Sequence, residues 1–177
     1  AIAWDVVSDP LVGGWSDRLK SRWGRRHPFM ALSIIPLGLG VVALFSPPSI
    51  INTNSDWLFY WLVITIVWIR TTYTFFWIPY SALGNELTQD YHERSTLFGN
   101  RTTFLYISVT AGPALAFYLI FPTIDGVDGR FVKENYFIYG IISCLLIWLM
   151  GFITVWGTRV HIPCLLYTSP SPRDVEE

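Results

Sequence analysis

The chain has 177 residues, of which 52% are hydrophobic, 17% aromatic and only 14% charged, against about 25% charged in an ordinary soluble domain. Its 12 Lys and Arg against 13 Asp and Glu leave no net field to draw nucleic acid or an acidic partner. Two cysteines are too few for a disulfide framework, and no nucleophile with a base, metal-ligand cluster or phosphate loop stands out, so neither an enzyme nor a bound cofactor is expected.

A hydrocarbon core of about 30 Å takes about 20 apolar helical residues, and the sequence offers one partial and four complete runs. The partial run, 1–16, carries Asp5 and Asp9 inside an apolar stretch. A basic stretch up to Pro28 follows, and the next run, 29–46, closes at Pro47 and Pro48, which cannot continue a helix. The remaining runs are 57–85, 102–124 and 135–158. Pro79 and Gly112-Pro113 predict kinks. Trp57, Tyr60, Tyr136 and Trp156 predict interfacial anchors, and His92 and His161 fall in loops. The chain lacks a starting Met and a cationic segment ahead of an apolar stretch, so its N-terminus is expected to be a cut end. Residues 164–177 differ in composition from the rest. The stretch CLLYTSPSPRD resembles one translated frame of a sequencing-library adapter and is expected to be non-native, leaving 1–163 as a partial transmembrane bundle.

Charge placement predicts orientation. Arg18, Lys20, Arg22, Arg25 and Arg26 lie between the first two runs, Arg94 and Arg101 between the third and fourth, and Arg159 after the last. The intervening loops hold only Arg130 and Lys133, beside Asp56, Asp125, Asp128 and Glu134. By the positive-inside rule the first eight are cytoplasmic.

Asp5 and Asp9 are four residues apart and share one helical face. Two carboxylates about 6 Å apart repel by roughly 3 kcal/mol at an effective dielectric near 20, which a shared proton or a small cation would relieve. Pro10 cannot donate to the carbonyl of Val6, so that oxygen is available to a cation or water. A carboxylate inside a membrane is itself a functional-site hypothesis. Arg70 lies 14 residues, or about 21 Å, before Gly84, and Asp5 lies 12 residues, or about 18 Å, before Asp17, so the two reach similar depths. An arginine there costs roughly 2.5 to 3.5 kcal/mol on insertion scales; it is expected to contact Asp5 or a substrate anion, or else to face a water-filled cavity or snorkel outward.

The segment Trp4-Asp5-x-x-Ser8-Asp9-Pro10-Leu11-x-Gly13 continues into Ser16-Asp17-Arg18-x-x-Ser21-Arg22-x-Gly24-Arg25-Arg26-x-Pro28. With Thr72-Tyr73-Thr74, Ile78-Pro79-Tyr80-Ser81-Ala82-Leu83, Glu86-Leu87-Thr88, and Glu93-Arg94 with Arg101, it resembles the glycoside-pentoside-hexuronide:cation symporters, a melibiose-permease-like branch of the major facilitator superfamily. The resemblance implies an all-α polytopic membrane protein: the N-terminal six-helix bundle of that fold, lacking helix 1, part of helix 2 and the C-terminal half. The five runs would then be helices 2 to 6, in the plasma membrane, most simply a bacterial inner membrane.

It further implies sodium- or proton-coupled symport of a sugar or glycoside. Asp5, Ser8, Asp9 and Thr74 match the cation-binding positions, with sodium at Asp5 and Asp9 if the ion is not a proton. Ser8 stands where the melibiose-type member has Asn, which leaves sodium, lithium and proton open. Tyr73 and Arg101 match sugar-site positions. Trp77 and Ser81 replace a sugar-binding aspartate and tryptophan, so a galactoside is not expected, though the Trp77 face suits sugar C–H surfaces; Arg70 joins this candidate substrate group. Asp17, Arg18, Arg25, Arg26, Glu86 and Arg94 are candidates for a cytoplasmic gate that breaks as the halves rock, or the basic loop simply meets anionic lipid. The competing readings are a sodium-dependent lysolipid carrier, from a branch that shares Pro-Tyr-Ser-Ala-Leu, and a non-transporting receptor or channel. The isolated fragment is expected to be inactive.

Overall fold

The computed structural model of the chain describes residues 2–18, 26–48, 55–86, 90–123, 126 and 128–159. They form helices α1 (Ile2–Arg18), α2 (His27–Phe45), α3 (Ser55–Glu86), α4 (Tyr91–Leu119) and α5 (Lys133–Thr158), with a short 3-10 turn at Gly129–Phe131 before α5. There is no strand among the described residues, and α2 to α5 are each long and apolar enough to cross a bilayer. The segment 164–177, expected to be foreign, lies outside the described residues.

Helix α2 is the centre, packed between α3 and α5, while α1 lies against α3. The close approach depends on small residues, as in membrane bundles generally. A Cβ on Gly38 would sit 2.8 Å from Cys144 Sγ and nearer still to the Trp148 indole, and one on Gly40 would lie 2.8 Å from the Trp68 ring. Gly151 returns the favour from α5, where a Cβ would meet Ile34 at 2.8 Å. Three indoles then bond α2's backbone: Trp61 donates to the Ala43 carbonyl (3.0 Å), Trp68 to that of Pro36 (2.9 Å) and Trp148 to that of Ile35 (3.4 Å). Each places a wide apolar ring at the interface without burying an unpaired N–H. Met30, Ile34, Leu83 and Pro79 are the largest fully buried side chains among the described residues.

His27 bonds Thr158 Oγ1 at 3.1 Å, and Phe45 packs edge-on against Tyr139 at 4.9 Å, so α2 and α5 are antiparallel. Arg26 and Arg159 therefore share one end of the bundle, and Arg130 and Lys133 lie at the other. On α1 and α3 the contacts climb together, Trp4 to Thr71, Asp9 to Thr74 and Gly13 to Ile78, so these two run parallel.

Helix α4 departs from the expected 102–124. It starts at Tyr91 because Asp90 caps it, accepting from the backbone N–H of His92 (2.7 Å) and Glu93 (3.2 Å). Hydropathy marks where a helix enters lipid, not where it begins. His92, Arg94 and Arg101 are therefore helical rather than loop residues, and Arg101 lies about 15 Å into α4. The helix ends at Leu119, ahead of Pro122. None of its residues is buried. Helices α3 and α4 run on through Pro79 and Pro113.

Candidate functional site

Two clusters lie along α3. The first joins α3 to α1. Thr65, Thr71 and Thr72 turn their hydroxyls back onto α3's own carbonyls, a local habit of threonine in helices. Thr74 instead donates across the interface to Asp9 Oδ1 at 3.2 Å. Thr74 is 4% exposed and Ser8, beside Asp9, 7%. The Ser8 hydroxyl is buried without a hydrogen-bond partner among the described residues. Such an oxygen normally finds a partner, so the Ser8–Asp9–Thr74 group has acceptor capacity left for a small hard cation or a proton carrier.

Trp4 Nε1 donates to Thr71 Oγ1 at 2.9 Å, one turn towards the start of α1. That contact was not foreseen, although the i, i+3 spacing of Thr71 and Thr74 puts both hydroxyls on one face. The register sets Asp5 level with residues 70–72 of α3, in keeping with the similar depths of Asp5 and Arg70. The Asp5 side chain lies outside the described residues.

The second cluster is a stripe at helical spacing on α3: Arg70, Tyr73, Trp77 and Tyr80. Tyr73 and Trp77 stack at 5.6 Å with 21° between the rings. Arg101 reaches over from α4, its guanidinium carbon 4.3 Å from the Trp77 ring centre, 5.0 Å from Tyr80 and 5.8 Å from Phe98, within cation–π range. The expected substrate residues Tyr73, Trp77 and Arg101 are thus brought together, with Arg70 on the same face. Tyr73 and the Arg101 guanidinium both lie against the Trp77 indole.

The proposed gate is only partly in view. Arg26 stands at the start of α2 and Arg94 in the first turn of α4. Arg25 and the side chains of Asp17, Arg18 and Glu86 lie outside the described residues.

A sequence profile of the family described as MFS/sugar transport protein matches residues 1–172. The chain belongs to that family. It is a multi-pass membrane protein of a transporter family, not an enzyme family. The match overlaps most of the segment 164–177 without bearing on its structure. The chain is 38% identical over 121 residues to a Synechocystis protein named uncharacterized symporter sll1374, covering 61% of this chain and 22% of that one. It is 32% identical over 129 residues to the inner membrane symporter YicJ of Escherichia coli, covering 73% and 26%. It is also 33% identical over 116 residues to the sodium-dependent lysophosphatidylcholine symporter 1-A of Danio rerio, covering 64% and 21%. The chain therefore spans about a quarter of the length of these relatives.

Proposed function

We propose that the chain is part of a secondary active transporter of the bacterial inner membrane that couples a sodium ion or proton to uptake of a sugar or glycoside. The observation that carries this reading is the Thr74–Asp9 hydrogen bond beside the unpartnered Ser8 hydroxyl. Together these side chains put two hydroxyl oxygens and a carboxylate between α1 and the membrane-spanning α3, and Asp5, four residues before Asp9, adds a second carboxylate on the same helical face. A charge of +1 held there relieves the carboxylate repulsion, and the Ser8 hydroxyl gains the partner it lacks.

The substrate sits on the stripe of Tyr73, Trp77, Arg101 and Arg70. Asp9 and Thr74 touch one flank of α3 and Tyr73 follows Thr74 in sequence, so cation and substrate share that helix. Binding one therefore orders the backbone that the other uses, which is how linked affinities couple two flows. The cytoplasmic gate of Asp17, Arg18, Arg25, Arg26, Glu86 and Arg94 closes the path on one side, and the rest of the transporter, beyond this chain, completes it. The lysolipid alternative draws on the zebrafish relative and on Arg101, since a guanidinium held over aromatic rings suits a phosphate as well as a sugar hydroxyl.

Uptake into vesicles holding the full-length transporter tests the reading. Sodium- or proton-stimulated accumulation against a gradient, lost in Asp5→Asn and Asp9→Asn, is the expected result. Equilibration without any cation effect would overturn it.

A further inference from the structure

Away from both α3 clusters, a cavity of about 460 Å³ opens between α2 and α5. His27 and Ala31 line it from α2, and Leu149, Phe152, Ile153, Val155 and Trp156 from α5, with Arg159 at its end. Among the described residues none of α1 or α3 lines it, so the opening faces away from the candidate transport path. Ala31 is the smallest side chain in the cavity's lining. We propose that this groove holds one anionic phospholipid of the cytoplasmic leaflet, its phosphate on Arg159 and one acyl chain along the wall of α5.

Dimensions and charge both fit that occupant. Leu149 and Arg159 are ten residues apart, or about 15 Å along α5, which is half of a hydrocarbon core of about 30 Å and so the depth of one leaflet. The volume lies within the roughly 300 to 1,000 Å³ of sites that take a single small molecule, whereas a partner helix, about 10 to 12 Å across, would need a broad face. Only the end is charged. Arg159 stands there, and Arg26 precedes His27 at the same end of the bundle. This accumulation of cations at one membrane face selects an anionic headgroup over a zwitterionic one. Trp156, 76% exposed, stands three residues from Arg159, where an indole sits at headgroup level. The His27–Thr158 bond ties the two helices at the mouth and fixes the groove's width there.

Native mass spectrometry of the full-length protein, delipidated and then offered phosphatidylglycerol or phosphatidylcholine with the same acyl chains, reads this without any transport measurement. A failure here therefore leaves the symport reading untouched. One retained phosphatidylglycerol is expected in preference to phosphatidylcholine. Arg159→Gln should cut that preference about fivefold, the share of one basic residue at an anionic surface, while Arg159→Lys keeps it. Ala31→Phe should abolish retention of both lipids by filling the slot. If that variant fails to fold, the Gln and Lys pair still decides the matter. Equal retention of the two lipids, no retention at all, or retention unchanged in Arg159→Gln would overturn the proposal.

Discussion

Replacing Thr74 by Val preserves shape and removes one oxygen. In the folded chain that oxygen donates to Asp9 at 3.2 Å from a position 4% exposed, and hydrogen bonds to charged groups contribute about 1.5 to 3 kcal/mol. If the same oxygen also ligates the coupling ion, its loss falls on the ion-bound state. At about 1.4 kcal/mol per tenfold, half-saturation by sodium or protons should then need a concentration at least about tenfold higher. The assay is uptake by the full-length transporter over a cation titration, with protein abundance measured in parallel. Thr74→Ser, which keeps the hydroxyl, should restore most of the affinity. An unchanged half-saturating concentration in Thr74→Val at normal abundance would refute the idea that the Asp9–Thr74 pair is part of the cation site.

Other outcomes follow from the same geometry. Arg101→Gln removes the guanidinium from the Trp77 and Tyr80 rings and should raise the half-saturating substrate concentration more than it changes cation dependence, read in the same vesicles. Gly38→Ala drives a methyl against Cys144 and the Trp148 indole and should destabilise the α2–α5 pair by about 1 to 3 kcal/mol, seen as a lower midpoint in thermal unfolding in detergent. Asp90→Ala removes the α4 cap at a cost of about 1 kcal/mol, so amide exchange should quicken at His92 and Glu93 but not beyond the first turns. The Asp128 carboxyl, outside the spans, is held below the ordinary carboxylate range by the Arg130 side chain and then by the Arg130 amide. Because its folded value is depressed, the turn's stabilisation is complete above the unfolded value of about 3.9 and is lost as pH falls through the lower folded one. Exchange at the Arg130 amide should accelerate in that acid window relative to an Asp128→Asn control.

The apolar runs were legible because lipid demands long uncharged stretches, and Pro47 and Pro48 mark where one of them stops because proline cannot continue a helix. The start of α4 was not, because Asp90 acts through two backbone N–H groups and hydropathy is blind to caps. The facing of Asp9 and Thr74 came from family resemblance; spacing places residues on a face of their own helix but says nothing of which helix lies opposite. The anchors divide similarly. Trp57, Tyr60 and Trp156 are exposed, as an interfacial ring should be, whereas Tyr136 donates to the Arg130 carbonyl at 2.9 Å and packs on Phe121. No pattern in the chain marks which tryptophans will bond α2's carbonyls, since that depends on two helices' rotations at once.

Helix α4 buries none of its residues within this chain, and this changes what a substitution there can do. In this chain by itself a residue with few neighbours has little shape to match, so a substitution there is decided at membrane insertion, where each side chain is weighed by depth and polarity. Along α2, tolerance should follow volume, and glycines should resist change. Along α4 it should follow a hydrophobicity scale: Phe104, Val109 and Leu115 exchange freely with one another, and a single charge at any of them is costly. A deep mutational scan of abundance would separate the two helices by that rule alone.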